Sequence, residues 1–70
     1  MVKVKLETKL GKNIRKYRKR LKLSQENLAF EAHIERSYVS AIEKGKRNPS
    51  IQVVAKIARA LKVSVGDLVN

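Results

Sequence analysis

These 70 residues predict an all-α fold, a compact bundle of five short helices around one core, and three observations carry that reading. From Leu10 onward apolar residues recur at spacings of three and four, the repeat of a helix with one buried face. Ser24, Ser50 and Ser64 each stand just before such a run, where a hydroxyl can cap a helix N-terminus. Gly11, Gly45, Gly66 and Pro49 are the only glycine and proline residues, so the chain has tight joints and no linker. With 43% hydrophobic and 33% charged residues the composition is that of a globular domain. A chain this short buries only about 60% of its unfolded surface, which leaves little room for a deep catalytic cleft or a second, effector-sensing domain.

Residues 1–9 read as either a short strand or a basic arm, because Val2, Val4 and Leu6 alternate with Lys3, Lys5 and Glu7. The helical domain then covers residues 10–70. Its first helix would start at Leu10 and turn Leu10, Ile14, Tyr17 and Leu21 toward the core, with cations around the rest. The second runs over Gln25–Ala32 behind Ser24 and buries Leu28, Ala29 and Ala32. The third spans Arg36 to Lys44 and stops at Gly45, the residue type a left-handed helix end favours. Asn48-Pro49-Ser50 breaks the chain and restarts it, since a residue before proline avoids the helical region. The fourth helix buries Val54, Ile57, Ala58 and Leu61, and Ser64 with Asp67 opens a last short helix ending near Val69.

Seventeen basic residues against six acidic ones leave a net charge of +11, and the excess is segmental. Residues 1–24 hold ten cations and one acid; residues 25–42 hold Arg36 against Glu26, Glu31 and Glu35. Such a chain seeks a polyanion. The absence of cysteine excludes a disulfide scaffold, a thiolate metal site and a cysteine nucleophile, and it suits a reducing cytoplasm, the location expected. His33 is the single histidine, so no metal or other cofactor is expected. None of the serine hydroxyls has a placed base to activate it, and no enzymatic activity is expected. No signal peptide or apolar run long enough to span a bilayer is present, and the apolar face of the first helix is needed for the core, so no membrane partner is expected. The cations of the first helix are left between a solvated, steering face and direct phosphate contact.

The second and third helices, joined by three or four residues with the small Ala29 at their crossing, describe a helix-turn-helix. Ile34, Val39 and Ile42 form the apolar wedge beneath, which turns Arg36, Ser37, Ser40, Ala41 and Lys44 outward. Short side chains let a helix seat deeply in a major groove, and a long donor reaches the base edges. Arg36, Ser37, Ser40 and Ala41 are therefore the base-reading candidates, with Arg36 aimed at a guanine O6 and N7. Tyr38 flanks that face as a contact to sugar, phosphate or a thymine methyl. Lys44, Lys46, Arg47 and Asn48 form a cationic loop where a backbone clamp belongs.

The runs Leu23-Ser24-Gln25-Glu26-Asn27-Leu28-Ala29, Arg36 through Gly45, Arg47-Asn48-Pro49-Ser50 and Ile57-Ala58-Arg59-Ala60-Leu61 resemble the Cro/C1-type helix-turn-helix family of transcriptional regulators. The similarity covers about Leu10 to Val69 and is strongest to the small controllers of restriction-modification genes. It implies a lambda-repressor-like DNA-binding domain acting on double-stranded DNA. It also implies that Gln25 caps the second helix and touches a phosphate; Ser24 and Asn27 beside it join the backbone-contacting set. An Arg18–Glu43 pair orienting the reading helix is implied too. His33 stands where the family prefers a glycine of positive φ, a region histidine tolerates.

One reading helix contacts too few base pairs to single out an operator, so a homodimer on a palindrome is expected, with Phe30, Val65, Leu68 and Val69 as its interface. With no second domain, no small-molecule effector is expected. The alternative class is an antitoxin-like protein-interaction module whose DNA binding is secondary. RNA binding fits less well, since Tyr17, Phe30 and Tyr38 are the only aromatic residues available for stacking on bases.

Overall fold

A computed structural model describes the backbone from Leu6 to Asn70 and the side chains from Lys9 onward. Five helices follow one another: α1 (Leu6–Arg20), α2 (Gln25–Ala32), α3 (Arg36–Glu43), α4 (Ile51–Leu61) and α5 (Val65–Val69). There is no strand among the described residues. Residues 1–5, on which most of the strand-or-arm alternative falls, lie outside them. Leu6 and Glu7 correct that reading where it can be compared, because both are helical. Leu6 stands four positions before Leu10, and this helical spacing was hidden by the local alternation of apolar and charged residues.

The starts of α2, α4 and α5 are fixed by hydroxyl caps, whereas Glu35 precedes α3 without a side-chain cap. Ser24 Oγ accepts from Asn27 N at 2.9 Å, Ser50 Oγ from Val53 N at 3.3 Å and Ser64 Oγ from Asp67 N at 3.0 Å, each satisfying an amide that the helix itself cannot. The Asp67 carboxylate returns the bond, accepting from Ser64 N at 3.0 Å. These bonds from Ser64, and then the charge of Lys16, hold the Asp67 carboxyl below the usual carboxylate range.

Helix ends share one device. Lys22, His33, Gly45 and Lys62 all take positive φ, at 60°, 58°, 75° and 61°, just beyond α1, α2, α3 and α4. At each, the following amide reaches back five residues, as in Leu23 N to Arg18 O at 3.0 Å and Val63 N to Ala58 O at 3.0 Å. After three of these turns an apolar residue, Leu23, Ile34 or Val63, packs back on the core. The turn at Lys22 explains a further correction: α1 ends at Arg20, Leu21 is 40% exposed, and Leu23 takes the core place expected for Leu21.

The core is built from Leu10 and Ile14 of α1, Leu28, Ala29 and Ala32 of α2, Val39 and Ile42 of α3, Val54, Ile57, Ala58 and Leu61 of α4, and Leu68 of α5. At roughly 25 cal/mol per Å² of buried apolar area, these side chains supply most of the folding drive. α1 lies against α3 and α5, and α2 lies against α3 and α4. Asn13 Nδ2 ties α1 to α5 through Leu68 O at 2.8 Å. No described helix is long and apolar enough to cross a membrane.

Candidate nucleic-acid interface

α3 owes its position to three contacts at its C-terminal end. Gly11 of α1 passes so close that a Cβ there would stand 2.7 Å from Glu43 O and closer still to Ile42 O. Only glycine permits that approach. Arg18 then grips Glu43 at the end of α3: Nε donates to Oε2 at 2.7 Å and Nη2 to Oε1 at 3.0 Å. The third guanidinium nitrogen, Nη1, donates to Leu23 O at 2.9 Å, and Gln25 Nε2 donates to Glu43 Oε1 at 3.1 Å. One carboxylate thus joins α1, the α1–α2 turn, the first residue of α2 and the last of α3. The Arg18 and Glu43 side chains are 11% and 5% exposed, so the pair is largely withdrawn from water. The hydrogen bond to Glu43 holds the Arg18 guanidinium above its usual pKa, and the pair stays charged on the arginine side at any working pH.

This clamp sets the outward face of α3. Arg36, Ser37, Ser40, Ala41, Lys44 and Lys46 border a single shallow depression. Arg36 and Ser37 are exposed, whereas Ser40 and Ala41 are half-buried at its floor. Lys46 and Ala41 also border a second cleft of about 520 Å³, which Tyr38 and Arg47 complete. The Arg47 guanidinium lies over the Tyr38 ring at 5.3 Å, a cation–π contact at the edge of the outward face of α3. Asn48 is exposed on the same loop, and Pro49, which follows it, is buried and anchors the loop. Glu35 places one carboxylate in that cleft among the cations.

Other expected contacts are placed differently. Ser24, not Gln25, caps α2, because Gln25 is already the first helical residue and its amide is engaged by Glu43. Asn27 Oδ1 accepts from Ser24 Oγ at 2.8 Å, and its side chain borders a groove with Leu21, Leu23, Phe30 and Lys62 rather than the depression under Arg36. Among the expected interface residues Phe30 is 77% exposed and Val65 and Val69 are half-buried. Leu68 is a correction: it is 0% exposed within one chain, so it has no surface to offer a second subunit. An apolar residue near a C-terminus reads alike for core and interface until the neighbouring helix is placed. Gly11 and Asn13 escaped sequence reasoning because their partners lie more than 30 positions away. The Gln25–Glu43 bond had a partial signal, since both residues stood in the family-like runs. Among the described residues no group of three or more His, Asp or Glu could hold a metal ion.

The helix-turn-helix family profile matches residues 14–68. Control protein C.BamHI of Bacillus amyloliquefaciens is 43% identical over 61 residues, a span of 86% of this chain and 75% of that protein. HTH-type transcriptional regulator SinR of Bacillus licheniformis is 42% identical over 62 residues, 87% of this chain but 56% of that protein. Among solved structures, the restriction-modification controller protein C.AhdI from Aeromonas hydrophila superposes with a TM-score of 0.86 at 40% identity, covering 89% of this chain and 94% of that one. These relatives are regulators and controller proteins rather than enzymes.

Proposed function

The chain belongs to the helix-turn-helix family of Cro/C1 type, and from that premise we propose that it is a sequence-specific regulator of transcription that reads double-stranded DNA in the major groove. The observation that carries this reading is the face of α3, where one long arginine stands beside short serine and alanine side chains in a depression rimmed by Lys44 and Lys46. Arg36 donates to a guanine, Ser37 and Ser40 supply hydroxyls, and Ala41 leaves room for the groove floor. Lys44, Lys46, Arg47 and Asn48 hold the phosphates on one side, and Gln25, held by Glu43, offers its second amide proton to a phosphate on the other. Tyr38 acts on this surface by fixing Arg47. Two copies bind one palindrome, with Phe30, Val65 and Val69 between them. The likeness to controller proteins supports a role as a restriction-modification controller. The protein acts in the cytoplasm, without cofactor, effector or enzymatic activity.

Selection of bound fragments from random duplex DNA by the purified protein tests this reading. A palindromic consensus is the expected result. Recovery of fragments with no common sequence would overturn it.

A further inference from the structure

The four cations near the reading face, Arg36, Lys44, Lys46 and Arg47, account for fewer than half of the chain's excess charge. Most of the remainder is on α1. Lys9, Lys12, Arg15, Lys16, Lys19 and Arg20 are all exposed there, and no described acid of α1 interrupts them, although Asp67 of α5 lies near enough to Lys16 to feel its charge. At about 100° per residue, Gly11 and Arg18, which touch α3, leave α1 in one direction. Lys19, Lys12, Lys16, Lys9 and Arg20 stand roughly 90 to 190° round the axis from that direction. The cationic face therefore looks away from the reading helix, and a duplex lying on α3 does not cover it. Two of its members rest on an aromatic ring: Lys16 Nζ and Arg20 Cζ lie 5.0 and 5.2 Å from the centre of the Tyr17 ring. Lys9 to Arg20 spans about 16 Å of helix, the length of about five phosphates along one strand of a duplex.

We propose that the outer face of α1 is a second, sequence-independent binding surface for the phosphodiester backbone of duplex DNA, so that one molecule holds a second DNA segment besides the one it reads. This rests on the function proposed above only for the first segment. The chemistry of the face favours this occupant. Leu10 and Ile14 are buried in the core and Tyr17 packs against it, so α1 has no apolar side left to sink into a membrane. The face also lacks the apolar anchor that a protein partner would need. A regular polyanion that asks for charge alone fits it, and release of its counterions drives the association.

The test replaces Lys9, Lys12, Lys16 and Lys19 together by glutamine, with Lys12→Gln/Lys19→Gln as a milder variant, and confirms the helical fold by circular dichroism. Beads carrying the selected duplex are loaded with protein and offered a labelled duplex of unrelated sequence. Wild-type protein is expected to retain the label, while the fourfold variant occupies the beads within about threefold of wild type yet retains at least tenfold less label, losing it at lower salt. Equal retention by the variant, or none by wild type, overturns the proposal. Labelled double-stranded RNA and an acidic protein run in parallel, and retention of either without retention of DNA also overturns it. If selection yields no consensus, the reading role of α3 fails by itself, and beads carrying any duplex still measure the α1 surface.

Discussion

Arg36 and Lys46 border the same depression but differ in what their geometry can do. Arg36 opens α3 on its exposed side, and a planar guanidinium fits the two acceptors of a guanine edge. Lys46 follows the left-handed Gly45 on the loop, and its ammonium is a point charge suited to phosphate. Arg36→Ala should cost about 1–3 kcal/mol on the selected duplex and relax preference at one base of each half-site. Lys46→Ala should weaken all duplexes alike and lower the salt slope by about one. Titrations on selected and scrambled duplexes check both; equal losses for Arg36→Ala on the two would remove it from base reading. A second pair of residues bears on stability alone. Lys22 and Lys62 hold left-handed backbone at φ 60° and 61°, which costs an L-residue about 1 kcal/mol or more and costs glycine nothing. Lys22→Gly and Lys62→Gly should each stabilise the fold by about 0.5–1 kcal/mol, raising the melting temperature by several degrees. A fall in either melting temperature would show that the lysine side chain contributes more than its backbone strain costs.

At the level of the helices, the angle of α3 depends on the Glu43 carboxylate, which accepts from both Arg18 and Gln25. Glu43→Ala would leave the Arg18 cation nearly buried and unpaired. The expected loss is about 3–5 kcal/mol, large against the 5–15 kcal/mol that holds an ordinary domain. Thermal unfolding should shift down by more than about 10 °C, and an unchanged transition would take the clamp out of the account of stability. Glu43→Gln keeps the shape but replaces one accepting oxygen by an amide N–H that faces a donor of Arg18 or Gln25, so it should lose part of the same stability. The boundaries of α2 to α5 were legible because their signals are local: Ser24, Ser50 and Ser64 cap, Gly45 ends α3, and Pro49 cannot continue a helix. The start of α1 was not, since Leu6 satisfies a period of two and a period of four at once. Nor were the turns at Lys22 and Lys62, because lysine carries no local mark of positive φ. The outward placement of Arg36, Ser37, Ser40, Ala41 and Lys44 was legible for the reason the caps were: these residues lie within a few positions of one another. Gly11, Asn13 and Leu68 gain their meaning from contacts between helices far apart in sequence, and residue type alone did not assign them.

Across the whole molecule, charge and apolar surface pull the proposed dimer in opposite directions. Phe30 is 77% exposed, and Val65 and Val69 stay half-open on α5, so a second copy gains from covering them. Each copy brings a net charge of +11, and with a screening length of about 10 Å at 0.1 M salt the two repel across any shared interface. Association of the free protein should therefore strengthen as salt rises, the reverse of what salt does to DNA binding. A duplex removes the conflict, because its phosphates neutralise both copies while its geometry sets them one helical turn apart, about 34 Å, over half-sites about 10 base pairs apart. Sedimentation at low and high salt, with and without the selected duplex, should show a weak dimer that tightens with salt and a complex of two chains per duplex at either. Phe30→Ser, at a side chain that is 77% exposed, should shift the free protein toward monomer and weaken operator binding while leaving the fold intact, whereas Val69→Ser also removes packing on the core and should lower the melting temperature as well. A single chain bound tightly and specifically to one half-site would defeat the dimer, and an association that weakened as salt rose would show that repulsion between copies does not govern it.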